Sequence, residues 1–357
     1  MYDKTELGSA IAATFATWQP PLRDRGIDRE RLIYGASDPE EIARTVDNFC
    51  AAALGARIDA YLFFAVSQGD VSGVVLADGR RVVVKAHTPA WTPAFLDAVQ
   101  RVQRRLADGG FPCPRPILGP TRLGHGYATV EELVDDGGDA DAHAPAVRRA
   151  MATTLARLVA ATRDLTDAPG LGAALQSRMP FRSPDDTVWP EPHSPIFDFA
   201  ATTAGAEWID RIAAQAKAAL ADGAGAEVIG HTDWSAQNCR FRGHALRVVY
   251  DWDSLMLDKE PIIVAEAAMT FPFNWNLPGP QVAPSPDEAR AFIVEYEEAR
   301  GAPFTTAEGE TLAAAATYSL AYGARLEHSL RPDQTDFPAG GARARLARYG
   351  DAFLQQW

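Results

Sequence analysis

The sequence from Val228 to Ser254 reads VIGHTDWSAQNCRFRGHALRVVYDWDS. It sets His231, Asp233 and Asn238 in an H-x-D-x-x-x-x-N pattern, follows them with an apolar run, and closes on Asp251-Trp252-Asp253. The stretches AEVIG before His231 and ALRVVY before Asp251 read as short buried strands. Asp233 then sits in a loop just past one strand, and Asp251 at the end of another. If the D-W-D segment is extended, Asp251 and Asp253 share a face, because side chains alternate along a strand. Carboxylates so placed can hold a hard cation such as Mg2+, which takes oxygen ligands and keeps several waters. The Asn238 amide oxygen adds a neutral ligand. Asp233 is left to accept a proton or orient a hydroxyl, and His231 to brace the loop.

A carboxylate base, an amide in the same loop, a metal-binding carboxylate after a strand and a strand lysine are the parts of kinase-like phosphoryl transfer. There the protein chiefly positions groups and neutralises charge. Lys85 in VVVKAH supplies the lysine, and the chain order Lys85, Asp233, Asn238, Asp251 is the one this chemistry uses. Together the motifs resemble the aminoglycoside phosphotransferase and choline kinase-like family rather than protein kinases. That family carries H-G-D-x-x-x-x-N and then I-D-W-E or similar, where this chain has HTDWSAQN and YDWD.

The resemblance spans residues 55–330 with gaps. It implies ATP or GTP bound between two lobes, with Mg2+ on its phosphates. Asn238 and Asp251 would hold the metal, Lys85 would contact the α- and β-phosphates, and Asp233 would be the catalytic residue. TVEELVDDGG resembles the segment joining the lobes, where Glu132 and Val134 would offer backbone groups to adenine. Thr232 replaces the family's usual Gly, SQGDVSG is a mildly Gly-rich phosphate-covering turn, and Glu266 stands where the family places a supporting Asp. The helix after Lys85 has no Glu to pair with it, only Asp97, Gln100 and Gln103. The expectation is that a Gln accepts a hydrogen bond from Lys85 while nucleotide phosphates supply the charge, leaving the lysine poorly held without nucleotide.

The elements that must position these groups follow from pattern. SDPEEIARTVDNFCAAA reads as a helix capped by Ser37 or Asp38, with Pro39 in its first turn. IDAYLFFAV (58–66) reads as a strand, 67–73 as a turn, and VVLADGRRVVVKAH (74–87) as a hairpin tipped by Asp78-Gly79. Residues 91–110 form a helix opened by Thr92 and Pro93, with Phe95, Val99, Val102 and Leu106 on one stripe and a glycine at its end. FPCPRPILG is an extended connection, GYATVEELV (126–134) a strand, and DDGGDADAHAP a loop. Beyond it VRRAMATTLARLVAATRDL carries a core stripe of Met151, Leu155, Leu158 and Val159. WPEPHSPIFDF is a rigid loop, and AEWIDRIAAQAKAALA, PDEARAFIVEYEEARG and ETLAAAATYSLAYGARLEHSL are further helices. Trp275 and Glu298 are candidates to line an acceptor pocket.

The pattern gives an α+β, bilobal kinase-like chain. A helical extension (1–54) precedes a small β-containing lobe (55–137) and a larger helical lobe (138–357) that carries the acceptor site. The chain has 357 residues, 47% hydrophobic, and a formal charge of 34 − 47 = −13. Such an acidic chain without Lys/Arg blocks argues against nucleic acid or an anionic membrane as partner. No apolar run reaches the ~20 residues of a membrane span, and the N-terminal stretch lacks a secretory signal's apolar core. Cys50, Cys113 and Cys239 are scattered core cysteines of a reducing compartment, and the expected location is the cytoplasm.

The expected activity is O-phosphorylation of a small hydroxylated acceptor, an aminoglycoside or other antibiotic, or a metabolite such as choline, a sugar or an amino alcohol. Two alternatives stand beside it. One is a metal-dependent hydrolase with His231, Asp233, Asp251 and Asp253 as ligands. The other is a catalytically dead kinase fold that senses nucleotide.

Overall fold

The computed structural model describes Ile11 and residues 29–66, 68–176, 187–192, 194 and 196–350. Most of the expected extension before residue 29, Ser67 of the 67–73 turn, and His193 and Pro195 of the 189–199 loop lie outside the described residues. The chain divides into two compact units. The first runs to Arg104, resumes over Pro114–Asp135, and includes the short segment Ser194–Ile196. The second comprises Arg105–Cys113, Asp136–His193 and Phe197–Trp357.

In the first unit, helices α1 (Arg29–Tyr34) and α2 (Pro39–Phe49) precede a five-stranded antiparallel sheet. The Asp38 side chain caps α2, accepting from the N–H groups of Glu40 at 3.1 Å and Glu41 at 3.0 Å. Two of the helix's first N–H groups are thereby satisfied beside a Pro that needs no partner. The strands are β1 (Ile58–Val66), β2 (Asp70–Leu76), β3 (Arg81–His87), β4 (Pro116–Leu123) and β5 (Gly126–Glu132), ordered β1-β2-β3-β5-β4. Helix α3 (Pro93–Asp108) lies between β3 and β4 in sequence. The β2–β3 hairpin turns at Gly79, whose φ of +86° suits a residue without a Cβ.

The expected turn over 67–73 is too long, because β2 begins at Asp70. Its polar and glycine residues belong to the strand for packing reasons. Asp70 is buried, and the Phe63 ring occupies the space a Cβ on Gly73 would need. Strand β4 also goes beyond the expected connection at 111–119. Pro116 and Pro120 hide it from a strand pattern, yet it lies at the sheet edge, where missing N–H groups break no ladder.

The two faces of the sheet differ. Val82, Val84 and Ala86 of β3, with Ala128 and Val130 of β5, join a core with Ile33, Ile42, Val46 and Phe49 from α1 and α2. By alternation Lys85, His87, Thr129 and Glu131 lie on the opposite face. Helix α3 serves that face. Thr92 accepts from the Phe95 N–H at 3.2 Å at its start, and Phe95, Val99, Val102 and Leu106 are all buried. Its Gln100 and Gln103 donate to the carbonyls of Leu118 and Pro114, at 2.7 and 2.9 Å.

The second unit is mainly helical: α4 (Pro145–Thr162), α5 (Leu171–Gln176), α6 (Glu207–Leu220), α7 (Glu260–Thr270), α8 (Pro286–Arg300), α9 (Thr306–Leu330) and α10 (Ala342–Tyr349). Capping boxes at Ser285/Glu288 and Thr305/Glu308 start α8 and α9. Helix α7 escapes a periodicity reading because its residues Glu260–Met269 are buried all round, which leaves no polar stripe. Two short antiparallel ladders complete the unit: β6 (Glu227–His231) with β9 (Leu255–Lys259), and β7 (Cys239–Arg242) with β8 (Ala245–Val249). No helix among the described residues is long and apolar enough to cross a membrane. All three cysteines are free.

Asp70, at the start of β2, is sealed under α1, with Arg29 Nε at 3.6 Å from its carboxylate. Burial pushes its carboxyl up to about 7 against the pull of Arg29, with Glu30 adding to the rise and Tyr34 opposing it. The folded state therefore holds this proton more tightly than the unfolded chain. Stability should fall as pH rises from about 4 to about 7. Asp70→Asn is expected to flatten that fall, read as urea midpoints across the window. An unchanged slope would show that Asp70 is ionised throughout.

Candidate active site

The two ladders determine how the H-x-D-x-x-x-x-N loop meets the D-W-D segment. His231 at the end of β6 is opposite Leu255 of β9, and Cys239 at the start of β7 is opposite Val249 of β8. Residues 232–238 and 250–254 are thus two loops closed by the same two strand pairs. Side chains and backbone lace them together. His231 Nε2–H donates to the Tyr250 carbonyl at 3.0 Å, and its fully buried ring packs edge-on against Trp234 and Trp252. Thr232 donates to the Ser254 carbonyl twice, from N–H at 2.9 Å and from Oγ1 at 3.0 Å. The Tyr250 N–H donates to the Asn238 carbonyl at 2.8 Å. Thr232 is therefore more than a tolerated replacement for Gly, since its hydroxyl closes the loop.

Asp233 and Asn238 meet within that frame. Asn238 Nδ2 donates to Asp233 Oδ2 at 2.8 Å and to the Asp233 carbonyl at 3.1 Å. Gln237 Nε2 lies 3.4 Å from the same Oδ2. With its nitrogen so engaged, Asn238 has its amide oxygen as the other end of the group. The Cys239 thiol beside them is pushed well up by burial and by the Asp233 carboxylate, so it stays protonated.

Asp251 departs from expectation. It adopts φ 61° and ψ 48°, the sole non-glycine residue with positive φ among the described residues, and Trp252–Ser254 form a 3-10 turn. The segment is not extended, so Asp251 and Asp253 do not share a strand face. Left-handed backbone in a non-glycine residue is uncommon and is held here by specific bonds. The Ser254 hydroxyl donates to Asp251 Oδ2 at 2.7 Å, and the Ser254 N–H to the Asp251 carbonyl at 3.0 Å. Among the described residues no three His, Cys, Asp or Glu side chains gather as a metal cluster.

In the first unit Lys85 is 9% exposed, and its Nζ lies 3.7 Å from Glu131 Oε1. The expectation that nucleotide phosphates alone supply the counter-charge of Lys85 is corrected, because Glu131 supplies one. Gln103 Nε2 donates at 2.8 Å to the other oxygen of Glu131, so the amide orients the carboxylate and the carboxylate faces the lysine. The signal for Glu131 lay in the strand register rather than the helix. Lys85 is opposite Thr129, and Glu131 is two residues on, diagonally placed on the same face. Glu132 spends its N–H on the Arg115 carbonyl at 2.9 Å. Val134 lies just past β5 and is part-buried.

The other candidates lie where packing puts them. Glu266 is buried on α7. Glu298 on α8 accepts from Arg149 at 3.1 Å. Trp275 is 70% exposed, on a loop that is itself tied to the Asp233 loop. The N–H groups of Ala236 and Gln237 donate to the carbonyls of Phe271 and Phe273, at 3.0 and 3.1 Å. Buried Asn274 stiffens the Trp275 loop, accepting from the Asn276 N–H while its own N–H donates to Gln281 Oε1.

A sequence model of the phosphotransferase enzyme family matches residues 69–301. This chain belongs to the phosphotransferase enzyme family. Among solved structures it is similar to an amicoumacin kinase, hAmiN, in complex with AMP-PNP, Ca2+ and Ami. That match has a TM-score of 0.58 at 11% identity, over 96% of this chain and 95% of that one. It is also similar to the spectinomycin phosphotransferase APH(9)-Ia in complex with ADP and spectinomycin. There the TM-score is 0.50 at 12% identity, over 88% and 93% of the two chains. At such identities the likeness shows a kinase-like α+β fold. No curated protein matches the chain.

His231→Ala should remove the packing between two tryptophans and leave the Tyr250 carbonyl unsatisfied. A loss of about 3 kcal/mol in unfolding free energy is expected from chemical denaturation. A loss below about 1 kcal/mol would mean that the loops hold without this brace.

Proposed function

We propose that this phosphotransferase-family protein moves the γ-phosphoryl group of ATP to a hydroxyl of a small molecule. The observation that carries the proposal is the grip of Asn238 on the Asp233 carboxylate, directly beside the turn of Asp251. Asp233 would orient the acceptor hydroxyl and take its proton. Asn238 keeps Oδ2 of that carboxylate fixed, so the carboxylate is aligned before the acceptor arrives. Preset alignment is where proteins gain most in phosphoryl transfer.

The donor set suits Mg2+. Asp251 offers a carboxylate oriented by Ser254, and Asn238 an amide oxygen, both hard ligands of the kind this ion selects. When bound, the ion would neutralise phosphate charge. Lys85 would hold the α- and β-phosphates. The Glu132 N–H is committed to the Arg115 carbonyl, so Glu132 would offer its carbonyl to the base, beside Val134. A carbonyl there suits the exocyclic amino group of adenine. The acceptor, an antibiotic or a hydroxylated metabolite, would be read by second-unit loops such as the one presenting Trp275. An acidic chain with three free cysteines is consistent with a cytoplasmic location, where ATP is plentiful.

The hydrolase reading is weaker here, because His231 is sealed in the core with Nε2–H on a backbone carbonyl. Nucleotide consumption screened against antibiotics and hydroxylated metabolites should reveal an acceptor-dependent signal. Asp233→Asn should lower kcat by about 10²–10⁴-fold, the scale of general-base catalysis, with Mg-ATP affinity kept. Turnover within a few-fold of wild type would remove Asp233 from the chemistry. Asp251→Ala should abolish the Mg2+-dependent part of ATP binding in calorimetric titration while the thermal transition stays cooperative. Equal ATP affinity with and without Mg2+ in the wild type would contradict the metal assignment.

A further inference from the structure

We propose that Glu131 is the positioning residue for the nucleotide lysine, and that this protein sets its phosphate anchor through sheet register rather than through a helix carboxylate. The inference rests on the phosphotransferase reading and identifies how its Lys85 is held. Helix α3 offers no Glu, and its Asp97 is not needed, because the carboxylate comes from β5. Strands β3 and β5 are neighbours with Lys85 opposite Thr129, so Glu131 is placed diagonally on the same face by the hydrogen-bond ladder itself. The two side chains are 11% and 7% exposed and 3.7 Å apart. A carboxylate so buried must be hydrogen-bonded to be tolerated, and Gln103 meets that need at 2.8 Å. Gln103 is anchored in turn, because the same nitrogen donates to the Pro114 carbonyl at 2.9 Å. Gln103 therefore fixes one oxygen of Glu131, and the other faces the ammonium.

A functional consequence follows. Where a helix supplies the counter-charge, a helix shift can break the pair and switch the lysine off. Here the pair is built into adjacent strands and persists as long as the β3–β5 ladder does. Glu131 also directly precedes Glu132, whose carbonyl is proposed to face the base. One strand thus fixes both the base-binding backbone and the counter-charge of the phosphate anchor. The lysine is held in place before nucleotide arrives, and activity needs no helix movement to assemble it.

The test uses the full chain. Glu131→Gln keeps shape and removes the charge, Gln103→Leu removes the orienting amide, and Asp97→Ala removes the helix alternative. Steady-state kinetics with varied ATP, and with varied acceptor from the screen, separate nucleotide effects from acceptor effects. Glu131→Gln should raise KM for ATP or lower kcat/KM for ATP by about 10- to 100-fold, the scale for partners that orient a functional group. KM for the acceptor should stay unchanged. Gln103→Leu should shift the same parameter in the same direction by less, Asp97→Ala should match wild type, and Glu131→Asp should recover part of the loss. In denaturant unfolding without nucleotide, Glu131→Gln combined with Lys85→Met should destabilise less than the sum of the two single changes. Wild-type ATP parameters in Glu131→Gln, or a loss in Asp97→Ala instead, would overturn the inference while leaving the phosphotransferase reading intact. A wild-type protein that binds no Mg-ATP would overturn both, and unfolding coupling would then mark Lys85 and Glu131 as a purely structural pair.

Discussion

Two short antiparallel ladders in the second unit are the constraint on which the site depends. The pairing of His231 with Leu255 and of Cys239 with Val249 fixes both ends of two loops at once. A loop pinned at both ends has few conformations to lose. His231, Thr232 and Tyr250 then bond across the two loops, so they behave as one piece. Asn238 can grip Asp233 because the chain between them has nowhere else to go. The left-handed backbone at Asp251 belongs to the same arrangement. Such a conformation costs of order 1–3 kcal/mol for a non-glycine residue, and it persists where surrounding contacts over-determine it. Here Ser254 supplies two of them.

The first unit applies a parallel economy of parts to charge. Period-two alternation gives β3 and β5 one apolar face, packed under α1 and α2, and one face that carries Lys85, Glu131, Thr129 and His87. A buried lysine needs its counter-charge within a few ångströms, since removing one member of such a pair leaves an uncompensated charge. The sheet places that carboxylate by register, and α3 contributes only neutral amides. The sequence of α3 is consistent with that division, with Gln at 100 and 103 where a charged residue would have been left inside the protein.

The Asp233–Asn238 contact was legible in the sequence because spacing alone carries it. Asp233 and Asn238 lie in one loop, so their meeting needs no long-range contact, and Lys85 stands out as a charged residue inside an apolar strand. Elements with a clear stripe or cap were legible too, such as the helix begun by Asp38 and the stripe of Phe95, Val99, Val102 and Leu106. What escaped had a physical reason in each case. Helix α7 is buried on every side and shows no period. Strand β4 contains two prolines that only an edge position permits. The Asp251 turn depends on a serine hydroxyl that no pattern announces. Glu131 is invisible until the order β3-β5 is known, because its partnership is set by strands separated in sequence by a helix and an edge strand.

If Asp233 orients an acceptor hydroxyl, the group transferred from ATP ends on an acceptor oxygen and not on water. Incubation with ATP carrying heavy oxygen on its γ-phosphoryl group, together with an acceptor from the screen, tests this by mass spectrometry. The labelled non-bridging oxygens should appear on a phosphorylated acceptor that keeps its own oxygen in the new bond, and formation of this product should slow in step with kcat in Asp233→Asn. Label recovered solely as inorganic phosphate, with or without any acceptor, would contradict transfer to an acceptor and make the protein a nucleotide hydrolase.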